Sequence, residues 1–473
     1  MKLYAAFFII SFYLYGNLHA ADSPNIVLII SDDQAWTDFG FMGHPHVKTP
    51  HIDRLAKQSA RYPNGYVPTS VCRPSLVTLL TGLYPHQHGV HFNHPPPGNS
   101  ALSKMTKPEY HHTRDQASYL IRSAPSLPRI LGDNGYQSFQ TGKFWEGHFR
   151  NAGFTHGMTV DVASPEPAYG NRKLPDGSLV AHGNGDAGLN IGRDTMQPIA
   201  DFLDAHGKQP FLLWYAPFLP HEPHNSPEKY RTPYENNPAV PKHLVDYYAS
   251  CSQFDNTVSQ LMQMIEARSL TQNTIFVFVI DNGWQPKETA HSQTGKYPVD
   301  IRSKRSPFDY GLRTPILIRW DGHVKPATHK ALCNSVDIVP TILDAVGCKE
   351  FSGKMPGRSL LPSAMEKTPL ADGPVFGEIY PGDATSLGHP SRDIAYRWVR
   401  DGRWKLIVPH RQRGDIWRNY VKTVSLFDVV ADPHEQSDLS KNTQQQQRIQ
   451  KMSKLLDDWW TPGDDSAVPQ LPE

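Results

Sequence analysis

Residues 25–33 read NIVLIISDD. An unbroken apolar run without polar alternation suits a strand buried on both faces, as in a parallel sheet. Three further runs share this texture: FLLWYA (211–216), TIFVFVI (274–280) and PILIRW (315–320). Helical patterns fall between them, at 195–206 and at 244–267, where Leu261, Met264 and Ile265 stand at helical spacing. Strands alternating with helices predict an α/β fold, a mostly parallel sheet between helices.

After about Gly347 the texture changes. Pro356, Pro362, Pro369 and Pro374 mark a linker, followed by short strand-like pieces at 394–400, 404–408 and 425–429. A last helix carries Ile449, Met452, Leu455, Leu456 and Trp459 on one face. The predicted organisation is a large domain over 21–347 and, over 348–473, a linker with a small C-terminal α+β domain. Residues 1–20 are set apart: Lys2, an apolar stretch from Leu3 to about Tyr15 and the pair Ala20-Ala21 predict a secretory signal peptide. That stretch is shorter than a membrane span needs. The expected location is therefore secreted or periplasmic, without stable membrane insertion.

The 473 residues carry 47 Lys+Arg against 46 Asp+Glu, which excludes nucleic-acid binding by counterion release. With 38% hydrophobic and 11% aromatic residues the chain can bury a core, and 42 prolines imply long shaped loops. Four cysteines are too few for a disulfide scaffold. Cys333 and Cys348 could pair in an oxidising compartment, and Cys251 reads as buried core.

Asp32 and Asp33 follow the first strand, and in open α/β sheets ligands bind beyond that edge. Asp281-Asn282-Gly283 ends another apolar strand in the same way. Two strand ends offering side-chain oxygens to one place make the ligand set of a hard cation, Ca²⁺ or Mg²⁺. Cys72 precedes Arg73-Pro74-Ser75, with Leu76, Leu79 and Leu80 at helical spacing and Gly82 as the stop. It is thus expected at a helix N-terminus, a position that favours anions and lowers a thiol's pKa.

These segments, taken with others in order, resemble the type I sulfatases of the alkaline-phosphatase-like superfamily. The resemblance runs from Asn25 to about Leu439. It rests on Asp32-Asp33, TSVCRPS (69–75), LLTGLYP (79–85), Thr141-Gly-Lys143, Pro220-His221, Asp281-Asn282-Gly283, Lys304, GLRTP (311–315) and LFD…DPHE (426–435). It implies a sulfuric ester hydrolase in which a maturation enzyme oxidises Cys72 to formylglycine, whose hydrate is the nucleophile. By position, Asp32, Asp33, Asp281, Asn282 and the modified Cys72 would hold Ca²⁺. Lys143 and Lys304 would bind sulfate oxygens. His221 would be the general acid, in keeping with an imidazole of near-neutral pKa, a duty Lys304 could share. The implied substrate is a sulfated sugar or polysaccharide. His88, in the histidine-rich loop that also holds His86, His91, His94, His111 and His112, is a further substrate-binding candidate. His221 and His224 do not form a zinc-protease pair, because Pro223 and the spacing prevent it.

Two positions depart from the family pattern. Leu76 stands where an arginine is usual, with Arg73 as a candidate replacement for its charge. Trp145 stands where a histidine is usual, with His148 nearby. Two alternatives stay open: a phosphodiesterase or phosphonate hydrolase on the same scaffold, since tetrahedral anions are alike in shape, and a catalytically silent glycan-binding relative.

Overall fold

The computed structural model describes residues 23–164, 169–183, 186–286, 302–410 and 420–463; the expected signal peptide lies outside them. The apolar runs form strands β1 (Asn25–Ser31), β7 (Phe211–Ala216), β8 (Thr274–Ile280) and β9 (Arg313–Trp320), joined by β2 (Ala60–Tyr66), β3 (Gln137–Gly142), β4 (His156–Gly157), β10 (Ala327–Thr328) and β11 (Cys333–Asn334). Among the described residues these make a sheet in the order β10-β2-β9-β8-β1-β7-β3-β4, with β11 also on β2. A separate hairpin pairs β5 (Asn171–Lys173) with β6 (Leu179–Ala181).

Alternation along β1 sorts side chains into two cores. Ile26, Leu28 and Ile30 pack with Leu76, Leu79 and Leu80 of the helix Cys72–Thr81 and with Ile338, Val339 and Ile342 of the helix Ile338–Ala345. Val27 and Ile29 face Ile52, Ile199, Phe254 and Val258, from the helices Pro50–Lys57, Gln197–His206 and Val245–Ala267. The result is a helix–sheet–helix sandwich, and each fully buried aliphatic side chain contributes about 1.5–3 kcal/mol.

Strand β1 is parallel to both β7 and β8, and β3 is parallel to β7. The PILIRW run departs from expectation: β9 is antiparallel to β8 and to β2. This reversal matters for the site. The carboxyl ends of β1, β2, β3, β7 and β8 lie on one edge, and β9 begins there, so the segment before Arg313 is delivered to the same edge.

The C-terminal unit is the antiparallel sheet β12 (Val375–Ile379), β13 (Tyr396–Asp401), β14 (Trp404–Pro409) and β15 (Ser425–Asp428), covered by the helix Gln446–Trp459 through Met452 and Leu456. It is bound to the large unit by a buried ionic group: Lys405 Nζ reaches Asp309 Oδ1 at 2.8 Å and Glu435 Oε1 at 2.9 Å, and Tyr66 donates to Asp309 Oδ2 at 2.7 Å. The four cysteines are free and buried, so the Cys333–Cys348 pairing that the sequence allows is not formed; both pack as small apolar side chains in one core. Among the described residues no helix is long and apolar enough to cross a membrane.

One buried carboxyl yields a prediction. Asp255 accepts the N–H groups of His51 (3.0 Å) and Ile52 (2.7 Å), yet burial pushes its pKa up to about 7 from 3.8. Between those values the folded chain holds a proton that the unfolded chain has released, so this group's contribution to stability falls as pH rises through that window. Asp255→Asn keeps an acceptor and removes the titration. In paired thermal melts the variant should gain on the wild type by about 2 °C or more between pH 4.5 and 7.5; a constant difference would refute the assignment.

Candidate active site

The five carboxyl strand ends and the start of β9 bring together Asp32, Asp33, Cys72, Lys143, His221, Asp281, Asn282 and Lys304. Asp281 N–H donates to Ser31 O (2.9 Å), and the Asp33 N–H donates to Asp281 Oδ1 (3.0 Å), with Asp33 held at φ +58°. Asn282 Nδ2 donates to Asp33 Oδ1 at 2.7 Å. The Cys72 thiol lies 3.7 Å from that same oxygen. The segment before the cysteine is tied to the Lys304 segment: Ser70 Oγ donates to Ser306 O (2.7 Å) and Arg305 N–H to Ser70 O (2.8 Å).

Lys143 pairs with Asp32 and stands 3.9 Å from Asp281 Oδ2. Its backbone is fixed by Gly142, whose φ is +71° and where a Cβ would fall 1.9 Å from Ala216 O, so the turn at the end of β3 requires glycine. Lys304 Nζ lies 2.5 Å from Asp33 Oδ2 and 3.4 Å from His221 Nε2. His221 Nδ1 is 2.7 Å from Glu222 O, its ring stacks on Phe218, and Nε2 is 3.3 Å from Asp33 Oδ2. Arg193 fixes this loop by donating to the carbonyls of Phe218 (2.8 Å) and His221 (2.6 Å), a contact with no mark in the sequence.

Burial raises the carboxyls of Asp32 and Asp281, in spite of Lys143. Burial acts upward on Asp33 too, but Lys304, His221 and Lys143 outweigh it and hold that carboxyl well below its usual range. Burial also pushes the Cys72 thiol up to about 11, against Lys143 and Lys304. The cysteine does stand at the helix N-terminus, yet it is 1% exposed, and desolvation overrides the expected lowering. Burial holds the His221 imidazole well below the ordinary range, with Asp33 pulling up and both lysines pushing down, so the expected near-neutral value is not met.

The donor set fits a divalent cation. Asp32, Asp33, Cys72 and Asp281 each offer a ligand atom, all within 4.8 Å of one another and all buried. Among the described residues Asp32 Oδ2, Asp281 Oδ2 and Asn282 Oδ1 are buried without a hydrogen-bond partner, which is costly unless something positive completes them. Hard oxygens in excess over sulfur favour Ca²⁺ or Mg²⁺.

Other sequence candidates go elsewhere. His88 is fully buried, with Nε2 3.3 Å from Thr78 Oγ1 and Nδ1 accepting Val90 N–H at 3.1 Å, so it is spent inside the fold. Two more of the loop histidines are paired elsewhere: His86 pairs with Glu378 and stacks on Trp460, and His91 pairs with Asp393. His148 caps its own turn by accepting the Arg150 N–H. Arg73 does not supply the missing arginine charge: its guanidinium grips Glu146 with two bonds of 2.7 Å. Leu76 joins the apolar core, as its helical stripe predicts.

A sheet edge that gathers buried carboxylates and two lysines around one oxidisable side chain suits a cation and a tetrahedral anion. The chain matches the family described as Sulfatase over residues 24–348, and that described as N-sulphoglucosamine sulphohydrolase, C-terminal, over 300–460. It belongs to the sulfatase family and is a sulfuric ester hydrolase with the alkaline-phosphatase-like fold. Human N-acetylgalactosamine-6-sulfatase is 26% identical over 82% of this chain and 74% of its own length. An ulvan-active sulfatase of Formosa agariphila is 28% identical over 88% of this chain and 77% of its own. The crystal structure of Ps i-CgsB in complex with k-i-k-neocarrahexaose superposes with a TM-score of 0.67 at 21% identity, covering 94% of each chain.

Proposed function

We propose that the chain is a secreted or periplasmic sulfatase that removes sulfate from a sulfated sugar or polysaccharide, with Cys72 converted to formylglycine and Ca²⁺ held by Asp32, Asp33, Asp281, Asn282 and residue 72. The observation that carries this reading is the convergence on one point: Cys72 Sγ 3.7 Å from Asp33 Oδ1, inside a buried carboxylate group flanked by Lys143 and Lys304. Without a bound cation, burial pushes this thiol up to about 11, where it is neutral and a weak nucleophile. The sugar assignment draws on the relatives named as ulvan-active and N-acetylgalactosamine-6-sulfatases. The location draws on residues 1–20.

When bound, the cation would lower the pKa of a coordinated hydroxyl and neutralise sulfuryl charge. The chain's own residues do the rest. Lys143 and Lys304 stay protonated, since Asp32 and Asp33 respectively offset their burial, and supply charge to the sulfate oxygens as negative charge builds there. His221 is neutral; with Nδ1–H donating to Glu222 O, its Nε2 faces Lys304 as an acceptor. His221 Nε2, 3.4 Å from Lys304 Nζ and 3.3 Å from Asp33 Oδ2, and Lys304 are the two groups placed to pass a proton to the leaving sugar oxygen. The ester S–O bond breaks, the sugar leaves as an alcohol, and water supplies the oxygen of the released sulfate.

The test is a screen of sulfated mono- and oligosaccharides against unsulfated controls, with free sulfate measured. Peptide mass spectrometry of protein from a maturation-competent host accompanies it. Sulfate release is expected together with a Cys72 peptide roughly 18 Da lighter, thiol to aldehyde. An unmodified thiol in an active preparation would overturn the nucleophile, and no release from any sulfated sugar would overturn the substrate class.

A further inference from the structure

Orphaned buried polar atoms mark the cation cage, and a second set of them stands close by. Among the described residues His94 Nδ1 and Trp145 Nε1 find no hydrogen-bond partner, although these residues are only 8% and 5% exposed. Their rings and that of His182 form a triangle with centroid separations of 5.8 Å (His94–Trp145), 5.3 Å (His94–His182) and 5.7 Å (Trp145–His182), each edge to face. His182 is the partly exposed corner, so the triangle opens to solvent there.

Covalent and hydrogen-bonded links set this triangle against the site. Trp145 lies two residues beyond Lys143. Asn93, next to His94, accepts the N–H of Arg73 at 3.0 Å, the residue after Cys72. Arg305, next to Lys304, lies close enough for its charge to act on His94 and to feel Cys72.

The surroundings are positive. Arg114 is 3% exposed, stands 5.9 Å from the Trp145 ring, and makes two bonds of 3.4 Å to the carbonyls of Asn93 and Gly183, with no ion pair to a carboxylate among the described residues. Burial outweighs the favourable charges of Glu146 and Asp161 and lowers the guanidinium's hold on its proton, so its charge is only partly compensated. Arg172 bonds Asn99 and, among the described residues, likewise makes no carboxylate pair. Of the acids near these groups, Glu146 is gripped by Arg73 and Asp383 accepts the Asn99 N–H at 3.1 Å, while the charges of Glu146 and Asp161 act on Arg114 and offset part of its charge. Burial, with the guanidinium groups acting in the same sense, holds His94 down to about 2 and His182 to about 3, so both imidazoles are neutral and each keeps one N–H to donate.

We propose that His94, Trp145 and His182, backed by Arg114 and flanked by Arg305, form a second subsite that binds an acidic group, carboxylate or sulfate, on the sugar carrying the scissile ester or on its neighbour. The donors are N–H groups in a positive, poorly hydrated setting, which suits anionic oxygens better than hydroxyls. The inference rests on the sulfatase reading for its substrate and makes this enzyme one for multiply acidic glycans. It also gives the Trp145 departure a purpose, since the indole supplies a donor and one wall of the triangle.

The test uses full-length Cys72→Ser protein with Ca²⁺, which cannot turn over through formylglycine, and titration calorimetry with three probes: a monosulfated hexose, the same hexose with two sulfates, and a monosulfated disaccharide bearing a uronate. At least one doubly acidic probe should bind about tenfold more tightly than the monosulfated one, and which of them does so distinguishes sulfate from carboxylate. His182→Ala should shrink that advantage to within about twofold and leave monosulfate binding near its starting value. Trp145→Phe, which removes only the N–H and keeps the packing, provides a second reading should the first variant melt early. Equal binding of all three probes, or an advantage that survives both variants, would overturn the subsite. Failure of the sulfatase reading would show separately, as absent sulfate release by the matured enzyme with the calorimetric preference intact.

Discussion

Cys72→Ala should abolish sulfate release, a loss of at least about four orders of magnitude, while the protein still folds. The side chain occupies the first turn of its helix, where alanine is well tolerated, and removing one buried sulfur costs on the order of 1 kcal/mol. Among the described residues the one side-chain bond it gives up is the long thiol contact to Asp33 at 3.7 Å. Asp33 keeps Lys304 at 2.5 Å and Asn282 at 2.7 Å, so the carboxylate stays compensated. Loss of rate with a nearly unchanged melting temperature therefore separates a reacting group from a structural one. Sulfate release by purified Cys72→Ala above the uncatalysed background would end the assignment. Cys72→Ser adds a control: serine keeps a buried donor toward Asp33 and should fold at least as well as alanine, yet it offers no thiol for conversion to the aldehyde in a cysteine-type maturation route.

Much of this was legible in the sequence, and the gaps have physical causes. Strands β1, β7 and β8 announced themselves because both of their faces are buried, leaving no polar alternation. Strand β3 (QSFQTG) gave no such signal, though it is just as interior: Ser138, Gln140 and Thr141 are buried but satisfied by Thr155, Thr159 and Trp214, and hydropathy does not register a hydrogen-bonded polar core. Strand β2 contains Pro63 and a register shift between Tyr62 and Gly65, which hides it further. The direction of β9 could not be read, because an apolar run carries no sense of orientation. That one reversal is what brings Lys304 to the edge where Asp32 and Asp281 end.

At the site, the strand-end acids could be reasoned from residues alone. Lys143, Lys304 and His221 needed the family resemblance, since a single lysine or histidine looks the same on any surface. Arg193, Arg114 and His182 left no trace, because their partners lie tens of residues away. The thiol of Cys72 departs from its sequence expectation for a related reason: position at a helix start is visible in sequence, but the desolvation that outweighs it depends on what folds over it.

Asp281 offers the sharpest test of the cation. Its Oδ1 accepts the N–H groups of Asp33 (3.0 Å) and Asn282 (2.6 Å), while Oδ2 is buried without a partner. Alanine would orphan both N–H groups and confuse folding with binding. Asparagine keeps the accepting oxygen and removes one negative charge. In chelator, Asp281→Asn should melt at or above the wild-type temperature, because burial and the neighbouring Asp33 both disfavour the ionised carboxylate. With Ca²⁺ added the order should reverse. A ligand bound only to the native state stabilises by about 2.7 kcal/mol at a hundredfold excess over Kd, so the wild type should rise by several degrees and the variant by far less. Its activity should fall in parallel. Since the melting shift is measured without substrate, it bears on the metal site independently of any chemistry at Cys72. Superimposable wild-type melts in Ca²⁺ and in chelator would remove the cation from this site, and an undiminished rise in Asp281→Asn would remove Asp281 from its ligands.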